Sequence, residues 1–227
     1  MFLRKVFIHI PKNAGMTIRR SPQLANKIMA AGPDVHKGPA YTKAVLNHMN
    51  KIGDHHGFEH ARWRDCNRSI VEGHGSFAVV RNPWDRVVSR YFFAKKVIEV
   101  EKKEPVGKHQ IDSFEHFLEE RHRWGNMGYM WHRAIRGWYN QREYLIDEKG
   151  TLQPDILRFE DLNRELCNYF KIPEMSRARN VTALNEGTYK DIYNSETIQI
   201  VADWYKDDIE TFGFDFDTGA TKNTWST

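Results

Sequence analysis

Lys12 and Arg81 each stand where a short apolar run gives way to a turn and then to a helical pattern, an arrangement that can neutralise an anion at each place. Val6-Phe7-Ile8-His9-Ile10 is rich in β-branched and aromatic residues and stops at Pro11, which predicts a short buried strand. The chain then turns through Lys12-Asn13-Ala14-Gly15, whose small residues let the backbone approach a ligand, and a helical pattern opens at Thr17. Unpaired N–H groups and the positive end of a helix dipole therefore gather beside Lys12, making an anion cradle. It is not the Walker loop, in which the lysine follows the glycines, because here Lys12 precedes Gly15. An ordinary turn with a solvated lysine fits this segment alone equally well.

The second segment favours the cradle. Phe77-Ala78-Val79-Val80 predicts another buried strand, Asn82 an N-cap and Pro83 the first helical position. The helix that follows carries Trp84, Val87, Val88, Tyr91 and Phe92 as an apolar stripe, read as core. Arg81 lies at the strand's end, where a guanidinium can fork onto phosphate oxygens. Ser89, one turn beyond Asp85 and away from the main stripe, can complete a phosphate site or simply bond back to its own helix.

Pro11-Lys12-Asn13-Ala14-Gly15-Met16-Thr17 resembles the first signature of the sulfotransferases that use 3′-phosphoadenosine 5′-phosphosulfate, in particular their carbohydrate-type branch. Arg81 through Ser89 resembles the second, Arg-Asp/Asn-Pro-Tyr/Trp-x-Arg-x-x-Ser. Asp155-Ile156-Leu157-Arg158-Phe159-Glu160-Asp161-Leu162 is similar to a later strand and turn of that family, as are Leu184-Asn185, Tyr189, Tyr193 and the ending Phe212-Gly213-Phe214-Asp215-Phe216. The matches run in the family's order along nearly the whole chain. Met16 departs from it, replacing a threonine and leaving Thr17 as the hydroxyl near the sulfate end; Ser21-Pro22 cuts short what is usually a longer first helix.

The resemblance implies an α/β domain over residues 1–216, with a central parallel sheet flanked by helices in the nucleotide-kinase-like sulfotransferase fold, and a polar tail over 217–227. It also implies a donor, 3′-phosphoadenosine 5′-phosphosulfate, whose product is adenosine 3′,5′-bisphosphate, and no metal requirement. Lys12 would then stabilise the leaving 5′-phosphate, with the backbone N–H groups of Asn13, Ala14, Gly15, Met16 and Thr17, after Pro11, holding the remaining oxygens. Arg81 and Ser89 would hold the 3′-phosphate. Arg177 and Arg179 lie where the family brings a C-terminal segment over the nucleotide, and are otherwise solvent-facing cations.

The acceptor hydroxyl needs a base. Eleven histidines are many for this length, and Asp54-His55-His56-Gly57-Phe58-Glu59-His60 concentrates three of them where related sugar-modifying enzymes carry their base. Imidazole suits that task near neutral pH, so His60 leads, then His56, with Glu59 as a carboxylate alternative. Taken singly, each also reads as a surface or capping residue. Trp124, Trp131 and Trp138, among Arg123, His132, Arg133 and Arg136, read either as a wall for stacking an acceptor or as core.

The elements that must position these groups read as alternating strands and helices, the pattern of a parallel α/β sheet. With 227 residues, 40% hydrophobic and 13% aromatic, the chain suffices for one core. A net charge of +4 supports anionic ligands in general. Basic residues form no single stripe, and no nucleic-acid motif appears. Cys66 and Cys167 build no disulfide framework and read as free thiols. No leader precedes the first strand and no run of about eighteen apolar residues occurs, so a cytoplasmic protein without a membrane span is expected. One helix from Ile198 to Phe212, stopped by Gly213, is expected near the end, and a charged surface loop or helix end from Lys95 to Glu104. The favoured acceptor is a hydroxyl-bearing sugar or other small molecule. Rival readings are a kinase-like phosphotransferase, disfavoured for want of a Walker lysine and an acidic magnesium partner, and a non-catalytic nucleotide-binding protein.

Overall fold

A computed structural model describes residues 4–52, 57–101, 109–126, 133–175 and 188–217. The strands β1 (Lys5–Ile8), β2 (Ile28–Ala30), β3 (Ser76–Val80) and β4 (Asp155–Arg158) form one sheet in the order β2-β1-β3-β4, and every pairing is parallel. A parallel sheet is covered on both faces, so its strands read as continuous apolar runs; all five residues of β3 are buried. Side chains alternate between two cores. Val6, Ile8, Ala78, Val80 and Ile156 join one, with Trp84, Val88, Trp138 and Tyr205. Phe7, Phe77, Val79 and Leu157 join the other, with Ile18, Leu24 and Leu166. The register sets Phe7 against Phe77 and Ile8 against Ala78, so β1 and β3 end side by side and release Lys12 and Arg81 at one edge.

The helices are α1 (Gly15–Arg19), α2 (Pro39–Ile52), α3 (Arg68–His74), α4 (Pro83–Lys95), α5 (Phe114–Trp124), α6 (Arg133–Trp138), α7 (Gln141–Leu145), α8 (Leu162–Phe170), α9 (Ser195–Trp204) and α10 (Lys206–Phe212). α1 ends before Ser21-Pro22, as proline requires. α4 starts as its sequence dictates: the Asn82 side chain accepts from the Trp84 N–H at 3.0 Å, and Pro83 occupies the first turn. The C-terminal segment roofs this start. Tyr193 donates its hydroxyl to the Trp84 carbonyl at 2.8 Å, Trp84 Nε1 donates to the Ile198 carbonyl at 3.0 Å, and Asn82 Nδ2 donates to the Asp215 carbonyl at 2.7 Å.

Several expectations change. The single helix expected from Ile198 to Phe212 is two, α9 and α10, broken at Tyr205, whose backbone leaves helical geometry while its ring buries in the core. Beyond the break, Asp208 of α10 reaches the start of α7. Gly213, with φ 71°, still ends α10 as a left-handed cap. Of the loop or helix end expected after Lys95, the structure shows the helix end, a π-helical turn over Lys96–Val100 that continues α4, but Val97 and Ile98 are buried, not at the surface; residues 102–108 lie outside those described. Trp138 is core, packed on Phe117 at 5.3 Å, and Trp124 packs partly buried against it; Trp131 lies outside the described residues. Cys66 and Cys167 are free thiols, and burial pushes that of Cys66 up to about 12. Among the described residues no helix is long and apolar enough to cross a membrane.

Candidate functional site at the ends of β1 and β3

The loop after β1 is tightly bent. Lys12 (φ 72°) and Ala14 (φ 59°) both adopt the left-handed conformation that non-glycine residues avoid, so surrounding bonds must hold them there. Three do. Arg81 Nη1 donates to the Lys12 carbonyl at 2.9 Å, Arg86 Nε donates to the Pro11 carbonyl at 3.2 Å, and Asn13 Nδ2 donates to the Val79 carbonyl at 2.7 Å. Amides at the start of α1 have no acceptor within the helix, and they gather where Lys12 also stands.

Gly15 serves a different need from the one its sequence position implies. A β-carbon there would lie 1.6 Å from His9 Nε2, so the small residue makes room for an imidazole of the protein itself. His9 is buried, and its Nδ1 has no hydrogen-bond partner among the described residues. Burial, with Arg19 and Arg136 nearby, pushes it down to about 3.

On the β3 side, the guanidinium of Arg81 is held on three sides. Nε and Nη2 fork onto the Asp85 carboxylate at 2.8 Å each, Nη1 meets the Lys12 carbonyl, and the Phe159 ring lies 4.0 Å from the guanidinium carbon. The fork that the sequence assigns to a ligand thus has one edge engaged with the protein's own carboxylate. The Lys12 ammonium lies 4.3 Å from the centre of the Phe93 ring. Asp85, Ser89 and Phe93 follow at four-residue intervals and so line one face of α4. Ser89, itself buried, therefore sits between the residue that meets Arg81 and the residue that meets Lys12. Burial first, then the charges of Arg81, Arg90 and Lys96, push the Lys12 amine down to about 7.

Gln141 ties both segments together, and nothing in the sequence singled it out. Its Oε1 accepts from Asn13 Nδ2 at 2.7 Å and from the Arg81 N–H at 2.9 Å, while its Nε2 donates to the Arg81 carbonyl at 2.8 Å. Asp208 in turn accepts from the N–H groups of Gln141 and Arg142, each at 2.8 Å; burial pushes its carboxyl up to about 6. Glu160 accepts from the Asn82 N–H at 2.6 Å. Asn13, expected to contribute its backbone, thus also spends its side chain as an anchor to β3.

Of the candidate bases, His60 comes to the end of β1. Its Nδ1–H donates to the His9 carbonyl at 2.8 Å, and the two rings lie 4.2 Å apart. That bond selects the tautomer whose Nε2 carries the lone pair. Burial, then His9 and Arg136, hold the ring well below the usual imidazole range, so it is neutral at pH 7. Glu59 lies 3.9 Å from that Nε2 and pairs with Arg19 at 3.7 Å. His56, Arg177 and Arg179 lie outside the described residues.

A cavity of about 380 Å³ lined by Lys37, Trp63, Arg64, Cys66, Asn67, Arg68 and Glu148 lies apart from these groups. Among the described residues, no three His, Cys, Asp or Glu side chains gather as a metal-binding group.

No curated protein and no solved structure matches the chain. A sequence profile described as the sulfotransferase family does, over residues 5–215, a span that takes in both strand-end segments, the Gln141 tie and the Asp215 carbonyl that anchors Asn82. A match over that much of the chain, on a parallel sheet that brings a lysine cradle and an arginine to one edge, makes this protein a member of the sulfotransferase family and an enzyme of sulfuryl transfer.

Proposed function

We propose that the enzyme moves the sulfuryl group of 3′-phosphoadenosine 5′-phosphosulfate to a hydroxyl of a carbohydrate acceptor. The observation that carries this reading is the bond from Arg81 Nη1 to the Lys12 carbonyl, which joins the two cationic segments into one site. A donor with two separated phosphate groups suits a lysine cradle and an arginine fork set side by side.

In this reading the Lys12 ammonium and the amides at the start of α1 stabilise the charge that grows on the leaving 5′-phosphate. Arg81 and Ser89 hold the 3′-phosphate. Arg177 and Arg179 would approach the phosphates from the C-terminal segment. His60 Nε2 takes the proton of the acceptor hydroxyl as its oxygen bonds to sulfur and the bond from sulfur to the phosphate oxygen breaks, releasing adenosine 3′,5′-bisphosphate. Glu59 and His56 remain the alternative bases. Lys12 and Arg81 supply the charge, and the scheme draws on no metal ion. Direct in-line transfer follows from fixing both donor ends.

Thermal shift with adenosine 3′,5′-bisphosphate, ATP with magnesium, and single-stranded DNA separates this reading from its rivals. Stabilisation by the bisphosphate is expected; stabilisation by ATP with magnesium alone would replace it with a phosphotransferase. Incubation with the sulfated donor and a glycan mixture, read by mass spectrometry for gain of one sulfuryl group, tests the acceptor class. Modification of phenols or lipids but no sugar would overturn the carbohydrate assignment.

A further inference from the structure

We propose that Asp85 is a positioning residue that makes the nucleotide site selective for a 3′-phosphate, by fixing the plane and the outward edge of the Arg81 guanidinium. This rests on the reading of Arg81 as the 3′-phosphate ligand. An arginine offers five N–H donors in a rigid plane. Here Nε and Nη2 give one hydrogen each to the two Asp85 oxygens, and Nη1 gives one to the Lys12 carbonyl. One hydrogen on Nη1 and one on Nη2 remain outside the Asp85 fork.

The Phe159 ring lies against the guanidinium, and the helix holds Asp85 at i+4 from Arg81. With both partners largely buried, the guanidinium does not swing freely; its side chain is 13% exposed and that of Asp85 19%. A ligand phosphate therefore meets an arginine already oriented, and little side-chain entropy is lost on binding. The cost is a carboxylate one guanidinium width from the phosphate. Orientation outweighs that repulsion because Asp85 is itself neutralised by two charge-assisted bonds. The bond to the Lys12 carbonyl is made by Nη1, which Asp85 does not touch, so the support of the Lys12 loop is separate from the Asp85 fork.

Calorimetric titration of adenosine 3′,5′-bisphosphate against adenosine 5′-phosphate isolates the 3′-phosphate. Asp85→Ala is expected to weaken the bisphosphate about tenfold while leaving the monophosphate within about twofold. Asp85→Glu is expected to restore part of the loss. If Asp85→Ala does not fold, Asp85→Asn keeps the volume and is expected to shift the affinity ratio the same way by less. Unchanged or tighter bisphosphate binding in the variant that folds overturns the proposal and makes Asp85 a competitor of the phosphate. Arg81→Ala separates the two levels: if it too leaves the affinity ratio unchanged, the assignment of Arg81 falls. If Arg81→Ala collapses the ratio and the Asp85 variants do not, only the positioning role falls.

Discussion

The imidazole of His9 occupies the space that a side chain on Gly15 would need. Gly15→Ala would drive a methyl group into His9 Nε2, and the strand end or the cradle must move. A destabilisation of about 1–3 kcal/mol is expected, together with loss of nucleotide binding. Adding His9→Ala removes the obstacle, so denaturant titration of the four species should give a double variant more stable than the two single losses sum to. Simple additivity would show that the two residues do not press on one another.

Lys12 supplies charge only while protonated. With its pKa near 7, the free enzyme loses the ammonium as pH rises through neutrality. His60, neutral far below that pH, brings no acid limb in the same range. Across pH 6 to 9, kcat/KM should therefore fall on the alkaline side with a midpoint near 7, after correction for titration of the nucleotide phosphates. Lys12→Arg keeps the charge and should move the limb above the range, and Lys12→Ala should cost about 10²-fold or more at pH 6, a deficit that narrows as the parent's own ammonium is lost on the alkaline side.

His60→Ala should lower turnover by about 10²–10⁴-fold with donor-product affinity nearly unchanged, measured by steady-state kinetics and calorimetry together. Normal turnover would exclude His60 and direct attention to Glu59 or His56.

Asp208 is protonated more readily in the fold than in the unfolded chain, since burial raises its pKa to about 6. Its contribution to stability is fully present below the unfolded carboxylate's pKa and is lost as pH rises through 6. Stability relative to Asp208→Asn should decline over that interval in chemical denaturation. Asp208→Ala, which strands the N–H groups of Gln141 and Arg142, should cost about 1–3 kcal/mol.

The places of Lys12 after β1 and Arg81 after β3 were legible because strand, turn and helix signals surround each of them, and that of Ser89 on α4 because the helical period runs through it. The Asn82 cap and Pro83 were legible for the same reason. Gln141 was not: it acts through partners at positions 13, 81 and 208, and no local pattern marks a side chain whose work is entirely tertiary. Gly15 looked like room for a ligand because a sequence cannot show that His9, six residues earlier, folds back onto it. Asp85 was visible as a neighbour of Ser89, but its hold on Arg81 depends on rotamers. The break at Tyr205 is not legible because the apolar period continues through it, and the partners that Asp208 meets beyond it lie at positions 141 and 142.

The carbonyl of Asp215 holds the Asn82 amide, and Tyr193 holds the carbonyl of Trp84, across sequence separations of 133 and 109 residues. The start of α4, next in the chain to Arg81, is therefore hostage to the far end of the polypeptide. Unfolding the segment that runs from Tyr193 to Asp215 should release the cap of α4 as well, and heat should loosen the two regions as a single melting unit.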